Sequence, residues 1–366
     1  MIMLIHIFAD TPHHYVPMRQ FFTEQCDIAH KQLFWAKSSI NNVSQQTKEN
    51  SNVLESKLDF KYYSSVDDLF SLLNLLPNSA QIIFHGLADV HLLKRLLFSP
   101  WLKRSSCVIW GYELYRYQQK KRSVKSYITQ FIHLLVFKFI NNVIMLTPGD
   151  GALVQKYLHR KSVTFLPYPL IGVSPVSKHL MIPISKNNNK IKILVGNSAA
   201  KANEHITAFQ QLAHLADENI EIVVPLNYAN SGNYSKEVIN AGEAIFATKF
   251  TAITEMLTKK AYDELLTEVD ITVFAHHRQQ GLYVAYSMLL MGKTIFLRSA
   301  TTSYQNFVAL EFSIFAFETL KNYTFSQLFT LITNKKLDNQ RLMEENFTEQ
   351  ALAPKWSLLL NNLFCR

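Results

Sequence analysis

A chain of 366 residues is longer than one hydrophobic core usually organises, so two domains are expected. Its 48% hydrophobic and 18% charged content excludes a disordered chain. The net charge of +9 is local: residues 92–142 hold ten Lys and Arg against one acid, Glu113, and the rest of the chain balances. Cys26, Cys107 and Cys365 lie far apart with no C-x-x-C pair, which excludes a disulfide framework and a thiolate zinc site and suits a reducing cytosol.

In chain order, Met3 to Phe8 reads as a first β-strand and not as a signal peptide, because no basic segment precedes it. It ends in Ala9-Asp10-Thr11-Pro12-His13-His14, polar groups of the kind that bind ligands at the carboxyl end of a parallel strand. A helix carrying Phe21, Phe22 and Cys26 follows, then a Ser-, Asn- and Gln-rich surface loop over 38–56. Leu69 to Leu76 is helical in pattern. Gln81 to His85 is a strand ending in His85-Gly86, and Val108-Ile109 is followed by Trp110-Gly111-Tyr112-Glu113. Ile128 to Leu146 is apolar but interrupted by His133, Lys138, Asn141 and Asn142, too polar to span a bilayer. Strands at Val143–Leu146 and Val163–Leu166 close the first half.

In the basic segment, Arg116, Lys120, Lys121, Arg122 and Lys125 are interleaved with Trp101, Tyr112, Tyr115, Tyr117, Tyr127 and Phe131. Such a mixture suits an anionic membrane surface, an ordinary solvated face or nucleic acid, and the membrane surface is the expectation.

Pro167, Pro169, Pro175 and Pro183 then rule out a helix or central strand, so 171–190 is read as a linker between domains at 1–170 and 191–345. In the second half, Ile191 to Val195 is a strand broken by Gly196-Asn197-Ser198. Asn203 reads as the N-cap of a helix with Ile206, Phe209 and Leu212 inward and Glu204 in its first turn. Ile220 to Val224 is a strand ending at Pro225 and Tyr228. Helices over Tyr234–Phe246 and Lys260–Glu268 precede a strand at Ile271–Phe274. Arg278-Gln279-Gln280-Gly281 then opens a helix that stops at Gly292, and Thr294 to Leu297 is the next strand. A final helical segment over 346–366 carries Leu358 to Leu360 and Leu363.

Strands alternating with helices make this an α/β protein with a doubly wound parallel sheet in each half and a cleft between them. Gly196–Ser198 and Arg278–Gly281 are two strand-to-helix turns that suit a pyrophosphate, although Arg278 also fits a surface ion pair. The backbone N–H groups of Gly196, Asn197, Ser198 and Gly281 and the guanidinium of Arg278 are the donors expected to hold such an anion. A general base is expected among Glu113, His14, His85 and Asp10, which sit at strand ends of the first half. His85 is equally readable as a structural histidine, and Glu113 as an ion-pair partner.

Five stretches carry a resemblance: Phe84-His85-Gly86, Ile109-Trp110-Gly111-Tyr112-Glu113-Leu114-Tyr115, Leu194-Val195-Gly196-Asn197-Ser198, Asn203-Glu204-His205-Ile206 and Arg278-Gln279-Gln280-Gly281. With Pro12-His13-His14, they resemble in order the bacterial 4-alpha-L-fucosyltransferases, TDP-N-acetylfucosamine:lipid II N-acetylfucosaminyltransferases of enterobacterial common antigen synthesis. The resemblance spans nearly the whole chain. It implies a GT-B fold, two Rossmann-like domains facing each other across a cleft, working without metal or cofactor.

It further implies a TDP- or UDP-linked donor held by the second domain. The expected donor set is Gly196, Asn197, Ser198, Asn203, Glu204, His205, Pro225, Tyr228, Arg278, Gln279, Gln280 and Gly281. The implied acceptor is a polyprenyl-diphosphate-linked saccharide at the cytoplasmic face of the inner membrane, against which the basic segment holds the first domain, with no nucleic acid partner. Leu282-Tyr283-Val284 are bulky where the family carries small residues, which bears on the sugar, and an O-antigen precursor is an equal acceptor. The alternatives from other classes are a non-catalytic nucleotide-binding protein attached to membranes and a GT-B-fold nucleotide-sugar epimerase.

Overall fold

The computed structural model describes residues 2–38, 60–118, 123–171, 190–227, 232–334 and 337–364. The chain divides into two compact units, Met1–Ile171 with Glu349–Arg366, and Gly172–Thr348.

The strands of the first unit are β1 (Met3–Phe8), β2 (Lys31–Lys37), β3 (Phe60–Tyr63), β4 (Gln81–His85), β5 (Ser105–Ile109), β6 (Asn142–Met145) and β7 (Thr164–Phe165). They form one parallel sheet in the order β3-β2-β1-β4-β5-β6-β7. A strand covered on both faces needs a nearly continuous apolar run. β1 supplies it with Leu4, Ile5, Ile7 and Phe8, none more than 2% exposed. The period of two then divides the core into layers. Ile5, Ile7, Ile82, Phe84 and Cys107 pack under the helices Val66–Leu73, Val90–Leu97 and Val124–Phe139. Leu4, Phe8, Ile83 and Val108 pack under Pro12–Glu24 and Glu349–Asn362.

The final helix therefore belongs to the first unit. Trp356 is fully buried there and its indole N–H donates to the Pro167 carbonyl at 3.0 Å. Ser357 and Asn361 accept the amide N–H groups of Asp27 and Ala29 at 2.9 and 3.0 Å.

The second unit has β8 (Ile191–Val195), β9 (Ile220–Pro225), β10 (Phe250–Ile253), β11 (Ile271–Phe274), β12 (Thr294–Leu297) and β13 (Phe315–Ala316). These are parallel in the order β10-β9-β8-β11-β12-β13. Its core gathers Ile193, Val195, Ile222, Val273 and Phe296 against Phe209, Leu212 and Val238 of the helices.

Strands β2, β3, β10 and β13, and the helices Val90–Leu97 and Val124–Phe139, are not predicted by the residue pattern. β3 and β10 are edge strands with half-exposed positions, and β13 has two residues, so neither periodicity nor apolar content marks them. In both sheets the order reverses beside the first strand, between β1 and β4 and between β8 and β11. Loops leaving the carboxyl ends of those two pairs diverge to opposite faces and open a crevice.

Candidate functional site

In the second unit the crevice lies between the loop after β8 and the loop after β11. Gly196 leaves β8 at φ +71°, and a Cβ there would stand 2.7 Å from Nε2 of His205, so the turn is closed to any side chain. Asn203 is fully internal: its Nδ2 donates to the carbonyl and Oγ of Ser198 at 2.7 and 3.0 Å, and its Oδ1 accepts the Asn197 N–H at 3.3 Å.

The expected N-cap is corrected by this geometry. Asn203 staples the loop, and Glu204, in the left-handed region at φ 53°, stands at the N-cap of the His205–Leu212 helix. In the Gly196–Ser198 turn the Asn197 amide donates to Asn203 Oδ1 and Ser198 is 2% exposed. Glu204 accepts from the Thr207 hydroxyl at 3.2 Å. Buried His205 has Nδ1 3.2 Å from the Tyr234 hydroxyl, which also accepts the His205 backbone N–H at 3.3 Å. Burial lowers its pKa to about 4, so it is a neutral support. Pro225 is buried beside Ile253 and has no N–H to offer.

The loop after β11 keeps its donors. Gly281, at φ +67°, caps the Leu282–Leu290 helix, whose first turn has neither a side-chain cap nor an acid. The amides of Leu282, Tyr283 and Val284 are first-turn donors without an intrahelical carbonyl partner, where an anion acceptor is favoured. Half-exposed Arg278 holds its Nε 3.3 Å from Oε1 of Gln280, and Gln280 donates Nε2 to Oδ1 of Asn197 at 2.9 Å, tying the two loops together. Gln279 is only 8% exposed. His276 lies in this loop and Arg298, just after β12, adjoins it, and no residue pattern marks either. His276 is fully buried, with its pKa lowered to about 4 by burial and then by Arg278 and Arg298. Arg298 donates Nε to the Ala275 carbonyl at 2.7 Å. The bulky residues after Gly281 are anchored: Val284 is buried and the Tyr283 hydroxyl donates to Asp263 at 2.5 Å.

In the first unit the crevice between β1 and β4 holds an ordered polar chain. Gln32 donates Nε2 to the Phe22 carbonyl at 3.1 Å, so its Oε1 accepts from Nε2 of His6, also at 3.1 Å. His6 Nδ1 then accepts from His85 Nε2 at 3.0 Å, and His85 Nδ1 accepts the Tyr168 hydroxyl at 2.5 Å. Tyr168 in turn accepts the Trp110 indole N–H at 3.4 Å. Every tautomer in the chain follows from the one amide. His85 is 0% exposed, stacked on Phe8 at 4.1 Å, and held well below its ordinary pKa by burial, then His6 and His14. Both of its ring nitrogens are thus engaged inside the chain.

Glu113 is internal as well. It lies in a four-residue helix, Tyr112–Tyr115, and is 1% exposed. Its Oε1 accepts the Leu87 N–H at 2.8 Å and its Oε2 the Trp110 N–H at 3.1 Å, buckling the loops after β4 and β5 together. Burial pushes its carboxyl above the usual range, while those amides and Arg116 pull it down. Each oxygen accepts one backbone amide. His14 and Asp10 remain at the surface of the crevice. Half-buried His14 sets its ring edge-on to Trp110 and Tyr168, with centroids 4.6 and 5.1 Å away. Asp10 is exposed at the end of β1.

Of the basic residues, Lys125 is exposed, whereas Arg116 is half-buried, with Nη1 buried and its guanidinium over the Tyr112 ring. Lys120, Lys121, Arg122, Tyr228 and Cys365, the loop over 39–56 and the linker over 172–189 lie outside the described residues. Among the described residues no group of three His, Cys, Asp or Glu is placed to hold a metal ion. No described helix is long and apolar enough to cross a membrane.

Solved structures share this architecture. Sucrose-phosphate synthase from Thermosynechococcus elongatus is 10% identical with TM-score 0.70, the match covering 99% of this chain and 99% of that one. A glycosyltransferase from Rickettsia africae is 10% identical with TM-score 0.67, covering 100% and 99%. The UDP-forming α,α-trehalose-phosphate synthase of Burkholderia xenovorans is 9% identical with TM-score 0.63, covering 99% of each. At such identities the likeness speaks for the fold, which is GT-B. The sequence profile of the 4-alpha-L-fucosyltransferases, glycosyl transferase group 56, matches residues 1–347. The chain therefore belongs to the 4-alpha-L-fucosyltransferase family and is a GT-B glycosyltransferase that uses a nucleotide-sugar donor.

Proposed function

We propose that the enzyme transfers a deoxy-amino sugar, N-acetylfucosamine, from a TDP-linked donor to a polyprenyl-diphosphate-linked saccharide. That reaction belongs to the synthesis of enterobacterial common antigen or O-antigen, at the cytoplasmic face of the inner membrane. The observation that supports this reading most is the uncapped N-terminus of the Leu282–Leu290 helix beside Arg278, at the crevice between β8 and β11. Amides and a guanidinium set in advance around a departing diphosphate stabilise the charge that develops as the glycosidic bond breaks. His14 is the base for the acceptor hydroxyl, with Trp110 and Tyr168 fixing its ring and Asp10 at the same strand end.

Calorimetric titration of a panel of nucleotide-sugars tests the donor side. The wild type binds a TDP-sugar most tightly, and Arg278→Ala weakens it by about tenfold, the worth of one charge-assisted contact. Absence of binding to every TDP- and UDP-sugar removes the reading.

A further inference from the structure

The Val124–Phe139 helix has apolar side chains on two opposite sides. His133, Val136 and Phe137 are buried against the first unit's core, as any covering helix requires. Val124, Tyr127, Ile128 and Phe131, spaced i, i+3, i+4 and i+7, share another side and are 75%, 59%, 53% and 61% exposed. The stripe runs on through Leu135 and Phe139 into a groove of about 690 Å³ also lined by Phe98, Lys103 and Arg104. Phe98 is 88% exposed at the end of the Val90–Leu97 helix, next to Lys94 and Arg95. Over residues 90–139 the one acidic side chain is Glu113, and it is buried. Asp67 lines the neighbouring groove together with Lys94 and Arg95.

The charge selects among occupants. A second copy packed isologously would set this basic surface against itself. Nucleic acid would satisfy the cations and leave a ridge of aliphatic and aromatic side chains in contact with phosphate and water. An anionic bilayer satisfies both: headgroups take the cations while the ridge enters the boundary between headgroups and acyl chains.

We propose that this surface docks the first unit on an anionic lipid bilayer. Val124, Ile128 and Phe131 enter the interface, Tyr127 keeps its hydroxyl at headgroup level, and Lys94, Arg95, Lys103, Arg104 and Lys125 face the headgroups. Docking stands on this surface alone. Its purpose, bringing the enzyme to an acceptor anchored in the same bilayer, rests on the lipid-linked acceptor proposed above.

The test is co-sedimentation of the full chain with vesicles of phosphatidylethanolamine and phosphatidylglycerol, and with vesicles of phosphatidylcholine alone. The wild type is expected to sediment with the anionic vesicles only, and to be released as salt approaches about 1 M, where the screening length is roughly 3 Å. Ile128→Asp with Phe131→Asp should cut partitioning by roughly tenfold or more. Both positions are exposed, so the melting temperature should hold. As a second variant that keeps the helix apolar, Phe131→Trp should shift its emission to the blue on adding anionic vesicles.

Undiminished sedimentation of the double variant overturns the proposal. So does equal binding to neutral vesicles, a wild-type dimer that the double variant dissociates, or tighter binding to duplex DNA than to vesicles. Transfer assays separate this from the functional reading. The double variant should match wild type on a short-chain soluble acceptor and lose activity on a vesicle-borne one. A wild type that docks but glycosylates neither acceptor leaves docking standing and removes the acceptor reading.

Discussion

Glu113 and His14 sit in different environments at one crevice, the carboxyl buried and the imidazole half-buried. A carboxylate with both oxygens on backbone amides in a dry site is costly to replace, because its loss strands two buried N–H donors. Glu113→Gln, which turns an NH₂ group against one of those amides, should lower stability by about 2–3 kcal/mol, read as a fall in melting temperature. It should leave nucleotide binding by the second unit intact. His14→Ala removes a half-buried ring from the edge of the site. It should hold the melting temperature within a few degrees and lower turnover by roughly 10²–10⁴-fold. The reverse pattern, a stable Glu113→Gln and an active His14→Ala, would exchange the two roles. The lone acid in a basic segment was visible in the chain. That its partners are Leu87 and Trp110 was not, since one lies 26 positions away.

Among elements, the turn after β8 carries the sharpest contrast between pattern and packing. Gly196 was legible as a break and Asn203 as a helix-start residue, but the cap falls on Glu204 because Asn203 is consumed inside the loop. Gly196→Ala would place a methyl group against His205 at a positive φ and should cost about 1–3 kcal/mol. Asn203→Ala should loosen the contact between Asn197 and Gln280 and weaken donor affinity with a smaller change in melting temperature. Thermal denaturation and calorimetry of the two variants check this, and unaltered donor affinity in Asn203→Ala counts against the staple. The helix after β11 needed no correction in type. Gly281, Arg278 and an uncapped first turn are local features, and local features are what a residue pattern reports.

Across the whole molecule, buried neutral histidines set an acid limit. Burial holds the pKa of His6 and His133 to about 3 and of His205 and His276 to about 4, against 6.5 ordinarily. The unfolded chain thus binds protons that the folded one refuses. Their contribution to stability is complete above pH 6.5 and is lost as pH falls toward the folded values. By pH 5 each histidine can remove up to about 2 kcal/mol, and the losses fall on both units. Denaturant midpoints measured between pH 7 and 5 should fall steeply, and a flat profile would mean these rings are solvated.

The chain by itself determined the α/β class, most central strands, the order of the family's motifs, and the concentration of positive charge over 92–142. Each of these depends on neighbours in sequence: apolar runs, glycine at a turn, spacing along a helix. Tertiary structure decided which polar residues stay available. It joined His6 to His85 and Tyr168, bound Glu113 and Asn203 to backbone groups, returned the last helix to the first unit, and left one side of the Val124–Phe139 helix uncovered. Hydrogen-bond partners and burial come from residues tens to hundreds of positions apart, and no local pattern encodes which of them meet.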